Sequence, residues 1–403
     1  MTTFLVLLAA YTLSQFYRSF LAIVAGELTR TLGLNAADLG SVSAIWFAAF
    51  ALAQFPVGWS LDRLGPRRTL AGFMAMAVLG AAWFARAGSL ADCLVAMALI
   101  GIGCSPVLMA SLYVFGRTYP PERFAMLASL VIGLGSVGNL LGATPLALAV
   151  EAFGWRAAMG GIAALTAAAV LLAFLALRDP PRAAGAGGAS AFGGLGDIMA
   201  IRALWRLLPL VCVGYAVVIA TRSLWIAPFF GEVHGFTITE RGNAALIMAA
   251  AMSLGALAYG PIERAIGDPK RTTLVGTAIT GLAYLALGLF GQTSAALALA
   301  LVAAIGAAGL TYGILMAHAR LFLPAHLLGR GVTFMNFGFI GGAGITQWLS
   351  GLFVQAGREA GAPPDLVYGH LHLAFGAVLL AAGAVYAFAP ARPAEAGRRT
   401  PPP

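Results

Sequence analysis

Gly58-Trp59-Ser60-Leu61-Asp62-Arg63-Leu64-Gly65-Pro66-Arg67-Arg68-Thr69 sets four charged side chains between two long apolar runs. An Asp or Arg at the centre of a spanning helix costs at least ~2.5 kcal/mol on the most lenient scale. Asp62, Arg63, Arg67 and Arg68 therefore stay at the membrane surface. Gly65-Pro66 turns the chain, and Gly58 has no side chain to hold a neighbouring helix away. The stretch reads as a tight turn between two membrane spans. A solvated turn in an unrelated membrane protein would have the same local chemistry, so the rest of the chain must decide.

Composition agrees with a membrane assignment. The 403 residues are 60% hydrophobic and 10% charged, far below the ~25% charge of soluble domains, and the mean hydropathy is +0.89. The 51 glycines suit close helix packing in lipid, where small residues let backbones approach. An all-α polytopic protein follows, because only helices or closed barrels satisfy every backbone polar group in hydrocarbon. Cys93, Cys104 and Cys212 lie in apolar segments without metal-ligand or disulfide spacing and read as small buried fillers. The first apolar run, from Phe4 to Val24, is long enough to span and has no convincing cleavage site after it, so it is expected to be a helix of the mature protein.

Apolar stretches of spanning length recur at 4–26, 38–60, 69–86, 91–115, 124–150 and 156–177. After a segment rich in Pro, Gly and Ala they resume at 204–229, 240–262, 271–290, 295–319, 330–356 and 368–389. Twelve transmembrane helices are expected, as a six-helix bundle over 1–177, a cytoplasmic linker over 178–203, a second six-helix bundle over 204–389 and a disordered cytoplasmic tail over 390–403. With both termini inside, 17 of the 24 basic residues fall on the cytoplasmic side. Only Arg30, Arg86, Arg156, Arg241 and Arg358 lie opposite, and Arg18 and Arg222 fall within spans. This is the basic-residue bias that fixes orientation. It also accounts for the net charge of +9 without a nucleic-acid partner.

The turn resembles the G-x-x-x-D-R-x-G-x-R-x loop between the second and third helices of the major facilitator superfamily. In that family the Asp and basic residues latch the two halves of a transporter together, which assigns gating roles to Gly58, Asp62, Arg63, Gly65, Arg67 and Arg68. The resemblance implies two pseudo-symmetric bundles related as parallel repeats, and the residues echo this. Tyr11 precedes Arg18-Ser19-Phe20 by seven positions, as Tyr215 precedes Arg222-Ser223-Leu224. Gly58 and Gly65-Pro66 have counterparts in Gly260 and Gly267-Asp268-Pro269. The second turn is degenerate, with Glu263 nearest to the Asp62 position.

In the resembled family the first, fourth, seventh and tenth helices line a central cavity, which directs attention to Arg18 and Arg222. No Asp or Glu stands mid-helix anywhere in the chain. Two guanidinium groups at symmetric depth without a counter-charge can grip a carboxylate, phosphate or sulfonate bidentately. The expected function is a secondary transporter for a small organic or phosphate-like anion, working by alternating access in the cell inner membrane. The pair is similar to the arginines of the superfamily's glycerol-phosphate/phosphate antiporters. The bland reading is that Arg18 snorkels toward the surface or pairs with Glu27, and that Arg222 reaches Glu232 or a backbone carbonyl. Tyr11, Gln15, Tyr215, Tyr312 and Asn336 are candidate substrate ligands beside the arginines. Tyr17, Ser105, Asn139, Trp225 and His318 are further polar neighbours. Each is also a satisfactory packing residue.

Two departures from the family pattern bear on transport mode. Met97 stands before Gly101-Ile102-Gly103, where many proton-coupled members carry Arg. Asn139 replaces the Pro of the drug antiporters' G-P-x-x-G within Gly138-Asn139-Leu140-Leu141-Gly142. Two readings compete with anion transport. Met248 and Met252, at i and i+4, could hold Cu(I) as in copper importers of the superfamily. Core or wall methionines are the favoured reading, since the repeat sets Trp46 and Phe50 at the matching apolar positions. A ligand sensor that keeps the transporter shape without transport is the third reading. No nucleophile and base set, cofactor motif or phosphate loop points to an enzyme. The expected partners are a small-molecule solute, the lipid bilayer, and a coupling proton or counter-anion, with the protein a monomer. A reporter active only in the cytoplasm should give full signal when fused to either terminus and lose it when inserted at Asn35. Signal from the Asn35 fusion would reverse the orientation.

Overall fold

A computed structural model describes residues 2–177, 179, 195–324 and 328–392. The described elements are all helical. In chain order they are α1 (Thr2–Tyr17), α2 (Leu21–Leu32), α3 (Ala36–Leu64), α4 (Pro66–Phe84), α5 (Leu90–Cys104) and α6 (Val107–Thr118). There follow α7 (Pro121–Gly135), α8 (Val137–Leu141), α9 (Thr144–Ala176), α10 (Leu195–Met199), α11 (Arg202–Ala220), a π-helical turn over Thr221–Trp225 and α12 (Ile226–His234). The chain ends with α13 (Ile238–Ile266), α14 (Pro269–Phe290), α15 (Ala295–Gly309), α16 (Tyr312–Arg320), α17 (Leu328–Glu359) and α18 (Pro364–Ala387). Most of the expected linker and residues 393–403 of the expected tail lie outside the described residues.

Among the described residues nine helical stretches are long and apolar enough to cross a membrane, or ten if α1 and α2, bent by 46°, form one crossing. Two features separate this number from the expected twelve. Met126–Ala176 counts once although it runs for 51 residues. A straight helix of that length would be about 77 Å long, against a hydrocarbon core of ~30 Å. It is broken at Gly154, whose φ of 79° and ψ of 156° nearly repeat the 84° and 162° of Gly65, the single-residue turn between α3 and α4. These angles suit only a residue without Cβ. The other feature is α4, where Arg67 and Arg68 in the first turn lower the average hydropathy.

Sequence periodicity makes the first, fourth, seventh and tenth spans continuous, whereas the structure interrupts each one at mid-depth. The chain leaves α-helix at Arg18–Phe20 between α1 and α2, at Ser105–Pro106 between α5 and α6, and at Leu310–Thr311 between α15 and α16. Over Thr221–Trp225 it widens to a π-helix. Arg18 and Arg222 both sit within these breaks. Other local devices also recur at a fixed interval. Gly33 and Gly235 are left-handed helix ends 202 residues apart. Each is followed by a reciprocal capping box, Asn35 with Asp38 and Thr237 with Glu240, at the same interval. Such boxes satisfy two of the orphan N–H groups at a helix start, so the repeat is written in caps as well as in side chains.

The helices from α1 to α9 pack on one another, as do those from α11 to α18, and the two groups meet through α3 against α17, α9 against α13 and α12 against α2. The close contacts lie at the end opposite the termini. The Ala36 N–H donates to Gln355 Oε1 at 3.3 Å, Ser43 bonds Gln347, and Thr144 Oγ1 lies 2.9 Å from Asn243 Oδ1. Thr239 bonds Glu151. At the centre of this seal Gly40 faces Gly351. A Cβ on Gly351 would fall 2.8 Å from both the Ala36 carbonyl oxygen and Gly40 Cα. Toward the end that carries the termini, α6, α7 and α16 pack within their own groups.

This seal depends on two absent side chains, which gives it a direct test. Gly351→Val should wedge the seal and shift the population away from this conformation. Labelling of an Asn336→Cys thiol by a hydrophilic reagent added from the side of the termini should fall several-fold. Unchanged labelling would show that the glycine contact does not hold the end closed.

Candidate functional site

At mid-depth, where the two helix groups face each other, α1 is drawn against α7 and α8 by glycines. A Cβ at Gly135 would collide with the Tyr11 ring, one at Gly138 with the Thr12 carbonyl, and one at Gly142 would lie 2.5 Å from Ser19 Oγ. This close approach brings Asn139, between two of those glycines, to the boundary with the opposite group. There the Arg222 guanidinium donates through Nη1 to Asn139 Oδ1 at 2.6 Å. Arg222 is 3% exposed.

Arg18 makes the reciprocal crossing. Its Nη1 lies 3.3 Å from the Tyr215 hydroxyl on α11, and its guanidinium carbon stands 5.4 Å from the Trp46 ring and 5.3 Å from the Phe50 ring. Both rings are on α3, and they give the cation a π-face on its own side of the boundary. The π-helical turn has a corresponding role for Arg222. An extra residue per turn swings the side chain off the regular helical track, here toward α8. Each arginine thus reaches from one half to a neutral partner on the other.

Among the described residues no acid neutralises either group. Glu27 is occupied by Arg30 at 2.6 Å and Glu232 by Arg358 at 2.7 Å, so the pairings that would have made Arg18 and Arg222 ordinary structural arginines are not formed. The ionisable groups within electrostatic reach of Arg222 are Tyr215 and Arg18 itself. Those of Arg18 are Tyr215, Tyr11 and Cys104. The Nε–H groups of both arginines are buried without an acceptor, and the Gln15 Oε1 atom is buried without a donor. An unpartnered buried polar atom costs about 1–3 kcal/mol, more when charged. Several of them converge here.

Around this charge the structure gathers part of the expected set. Tyr11 is buried against Gly135. The Tyr215 ring lies 6.0 Å from that of Tyr312 at a tilt of 48°, and the Tyr312 hydroxyl lies 3.4 Å from Asn336 Oδ1. Tyr312 remains 37% exposed. Phe339, one helical turn after Asn336 on α17, completes the wall at 4.4 Å from the Tyr312 ring. Sequence reasoning did not single it out, although its i, i+3 spacing from Asn336 was a usable signal. The remaining polar neighbours serve packing. Tyr17 bonds Thr166 Oγ1 at 2.8 Å, Trp225 Nε1 donates to Ser350 Oγ at 2.8 Å, and Ser105 Oγ donates to the Ile102 carbonyl. His318 is held between the Tyr386 hydroxyl at 2.6 Å and the Pro390 carbonyl at 3.1 Å. Met248 and Met252 are buried with their Cγ atoms facing the Cβ direction of Gly306 on α15.

At the α3–α4 turn, the close helix approach expected at Gly58 is not formed, since a Cβ there would meet nothing within 4 Å. Gly65 is instead the tight position, covered by the Asp179 carboxylate. Asp179 Oδ1 accepts the Arg67 N–H at 2.8 Å and so caps the start of α4, favourable for a negative charge at a helix N-terminus. The Arg67 guanidinium lies 4.4 Å from the Phe174 ring and that of Arg63 5.5 Å from Trp59. Arg68 is exposed. The Asp62 side chain lies outside the described residues.

Comparison with known proteins follows from this geometry. Residues 7–347 match the model of the Major Facilitator Superfamily. No curated protein matches the sequence significantly. Among solved structures, the chain is similar to a bacterial homologue of the human lysosomal transporter Spinster in an inward-facing, occupied conformation, with a TM-score of 0.76, 19% identity and 96% of each chain covered. A mutant of the nucleoside transporter NupG superposes with a TM-score of 0.80 at 14% identity, covering 96% of this chain and 99% of that one. The xylose transporter XylE from E. coli, in an inward-open conformation, gives 0.72 at 15% identity with 97% of each chain covered. At these identities the likeness is one of fold. With the family model spanning most of its length, the chain belongs to the Major Facilitator Superfamily.

Proposed function

We propose that this protein is a secondary transporter of twelve crossings that moves a small organic or phosphate-like anion by alternating access, with both termini in the cytoplasm. The observation behind this reading is the pair of guanidinium groups at the boundary between the halves, Arg222 buried and Arg18 half-buried, each reaching across it and neither facing an acid among the described residues. A carboxylate, phosphate or sulfonate would meet the orphan Nε–H donors of Arg18 and Arg222 at once. Tyr11, Gln15, Tyr215, Tyr312 and Asn336 would surround it. The aromatic faces of Trp46 and Phe50 hold Arg18 in place without consuming its charge. In this reading the six-helix bundles over 1–177 and 204–389 rock about the anion. The α3–α4 turn, with Asp62 and the arginines at 63, 67 and 68, latches the end that is parted here.

A thermal-shift screen of purified protein against small carboxylates, phosphates and sulfonates tests the reading. A ligand at 100 times its Kd stabilises by about 2.7 kcal/mol, so at least one anion should raise the melting temperature of the wild type. The same anion should leave Arg18→Ala and Arg222→Ala unshifted. Equal shifts in all three proteins would reject the arginines as ligands.

Asn139 supplies a second test, because it is the acceptor that holds Arg222. Asn139→Leu should lower intrinsic stability by about 1–3 kcal/mol by orphaning a buried cation. Asn139→Asp should restore stability through an ion pair while abolishing the anion-induced shift. An Asn139→Asp protein that still responds to anions would mean that Arg222 does not bind them.

A further inference from the structure

Outside the central site, the five basic residues at the end opposite the termini are not equivalent. Arg30 and Arg358 are ion-paired, and Arg241 directs Nε to the Phe236 carbonyl at 2.7 Å. Arg86 and Arg156 have no such acid. Arg86 donates to the Ala82 carbonyl at 3.2 Å and Arg156 to the Ala87 carbonyl at 2.9 Å, and both are exposed. The Asp92 carboxylate, on α5, is taken by Trp83 Nε1 at 3.1 Å, Ser89 Oγ at 2.8 Å and the Gly88 N–H at 3.1 Å. Two cations thus stand together at the sparsely charged end of the molecule with most of their donors unused.

Below them runs a groove of about 510 Å³ between α4 and α9. One wall follows Val78, Ala82 and Arg86, and the other follows Arg156, Gly160 and Ala167. Small side chains keep it open, and a Cβ on Gly160 would meet nothing within 4 Å. Helical rise gives these walls lengths of about 12 and 16 Å, the depth of one leaflet of a ~30 Å hydrocarbon core. Trp83, 46% exposed, stands beside the arginines with its indole N–H turned to Asp92, the posture of an aromatic residue at the membrane interface. The groove therefore begins at headgroup level and ends near the bilayer midplane.

We propose that this groove is a binding site for an anionic phospholipid, with one acyl chain between α4 and α9 and the phosphate bridging Arg86 and Arg156. The chemistry is a phosphodiester held by two guanidinium groups, and the leaflet-deep apolar floor selects a lipid over a soluble phosphate. The site is remote from Arg18 and Arg222 and does not depend on the nature of the cargo.

Native mass spectrometry of the full-length protein in mild detergent, titrated with phosphatidylglycerol or with phosphatidylcholine of identical chains, tests the proposal. The wild type should bind phosphatidylglycerol preferentially. Arg86→Gln/Arg156→Gln should reduce that preference at least about fivefold, on the scale of one basic residue's attraction to an anionic lipid. Gly160→Leu fills the groove, enters open space and replaces a poor helix former, so it should fold while lowering phosphatidylglycerol binding with both arginines intact. Wild-type preference retained in the double arginine variant, or wild-type phosphatidylglycerol binding retained in Gly160→Leu, would overturn the proposal. Displacement of the lipid by an equal concentration of glycerophosphoglycerol would also overturn it, because the headgroup alone would then suffice.

Discussion

Two positive charges at the centre of a low-dielectric protein, unrelieved by any acid among the described residues, are the constraint from which the rest of this structure is best understood. A guanidinium buried at 3% exposure must find acceptors or aromatic faces, and here it finds only neutral ones. Arg222 takes an amide oxygen and Arg18 a phenol and two rings. These partners hold the side chains without cancelling their charge, so an electrostatic demand persists at the boundary between the halves. Because each arginine is held by the opposite half, the site exists only when both halves contribute. The bonds that hold the two arginines are therefore also bonds between the halves.

The backbone is adapted to this demand. The first, fourth, seventh and tenth spans each give up regular α-helix, at Arg18–Phe20, Ser105–Pro106, Thr221–Trp225 and Leu310–Thr311, while α3, α13 and α17 at the boundary stay continuous. The two arginines stand 204 residues apart, and the other two breaks 205. Interruptions of this type are tolerated in hydrocarbon only where protein or a wet site satisfies the freed groups. Their alignment at one depth, on copies of one motif, separates a functional level from accidental kinks.

Much of this was legible in the chain. The Gly58–Thr69 turn, the recurring apolar lengths and the matched Tyr-to-Arg spacing identify the superfamily and single out Arg18 and Arg222, because charge in a spanning segment is conspicuous whatever surrounds it. The breaks were not legible, since Gln15 to Phe20 and Val217 to Trp225 have ordinary helical composition and are bent by tertiary contacts such as those at Gly142 and Asn139. Gly58 misled for the same reason: its small size permits close packing but does not summon a partner. The turn at Gly154 falls in the 151–155 gap that the apolar lengths leave between the fifth and sixth spans, and only its confinement to a single residue was not legible, because the residues on both sides form good helix.

That single residue has a mechanical meaning. Glu151, three positions before it, fastens one half to Thr239 of the other, and Arg156, two positions after it, stands at the lip of the lipid-facing groove. A connection one residue long has no slack to absorb motion. The tie to the opposite half and the lip of the groove thus lie five residues apart, on the two sides of one tight turn.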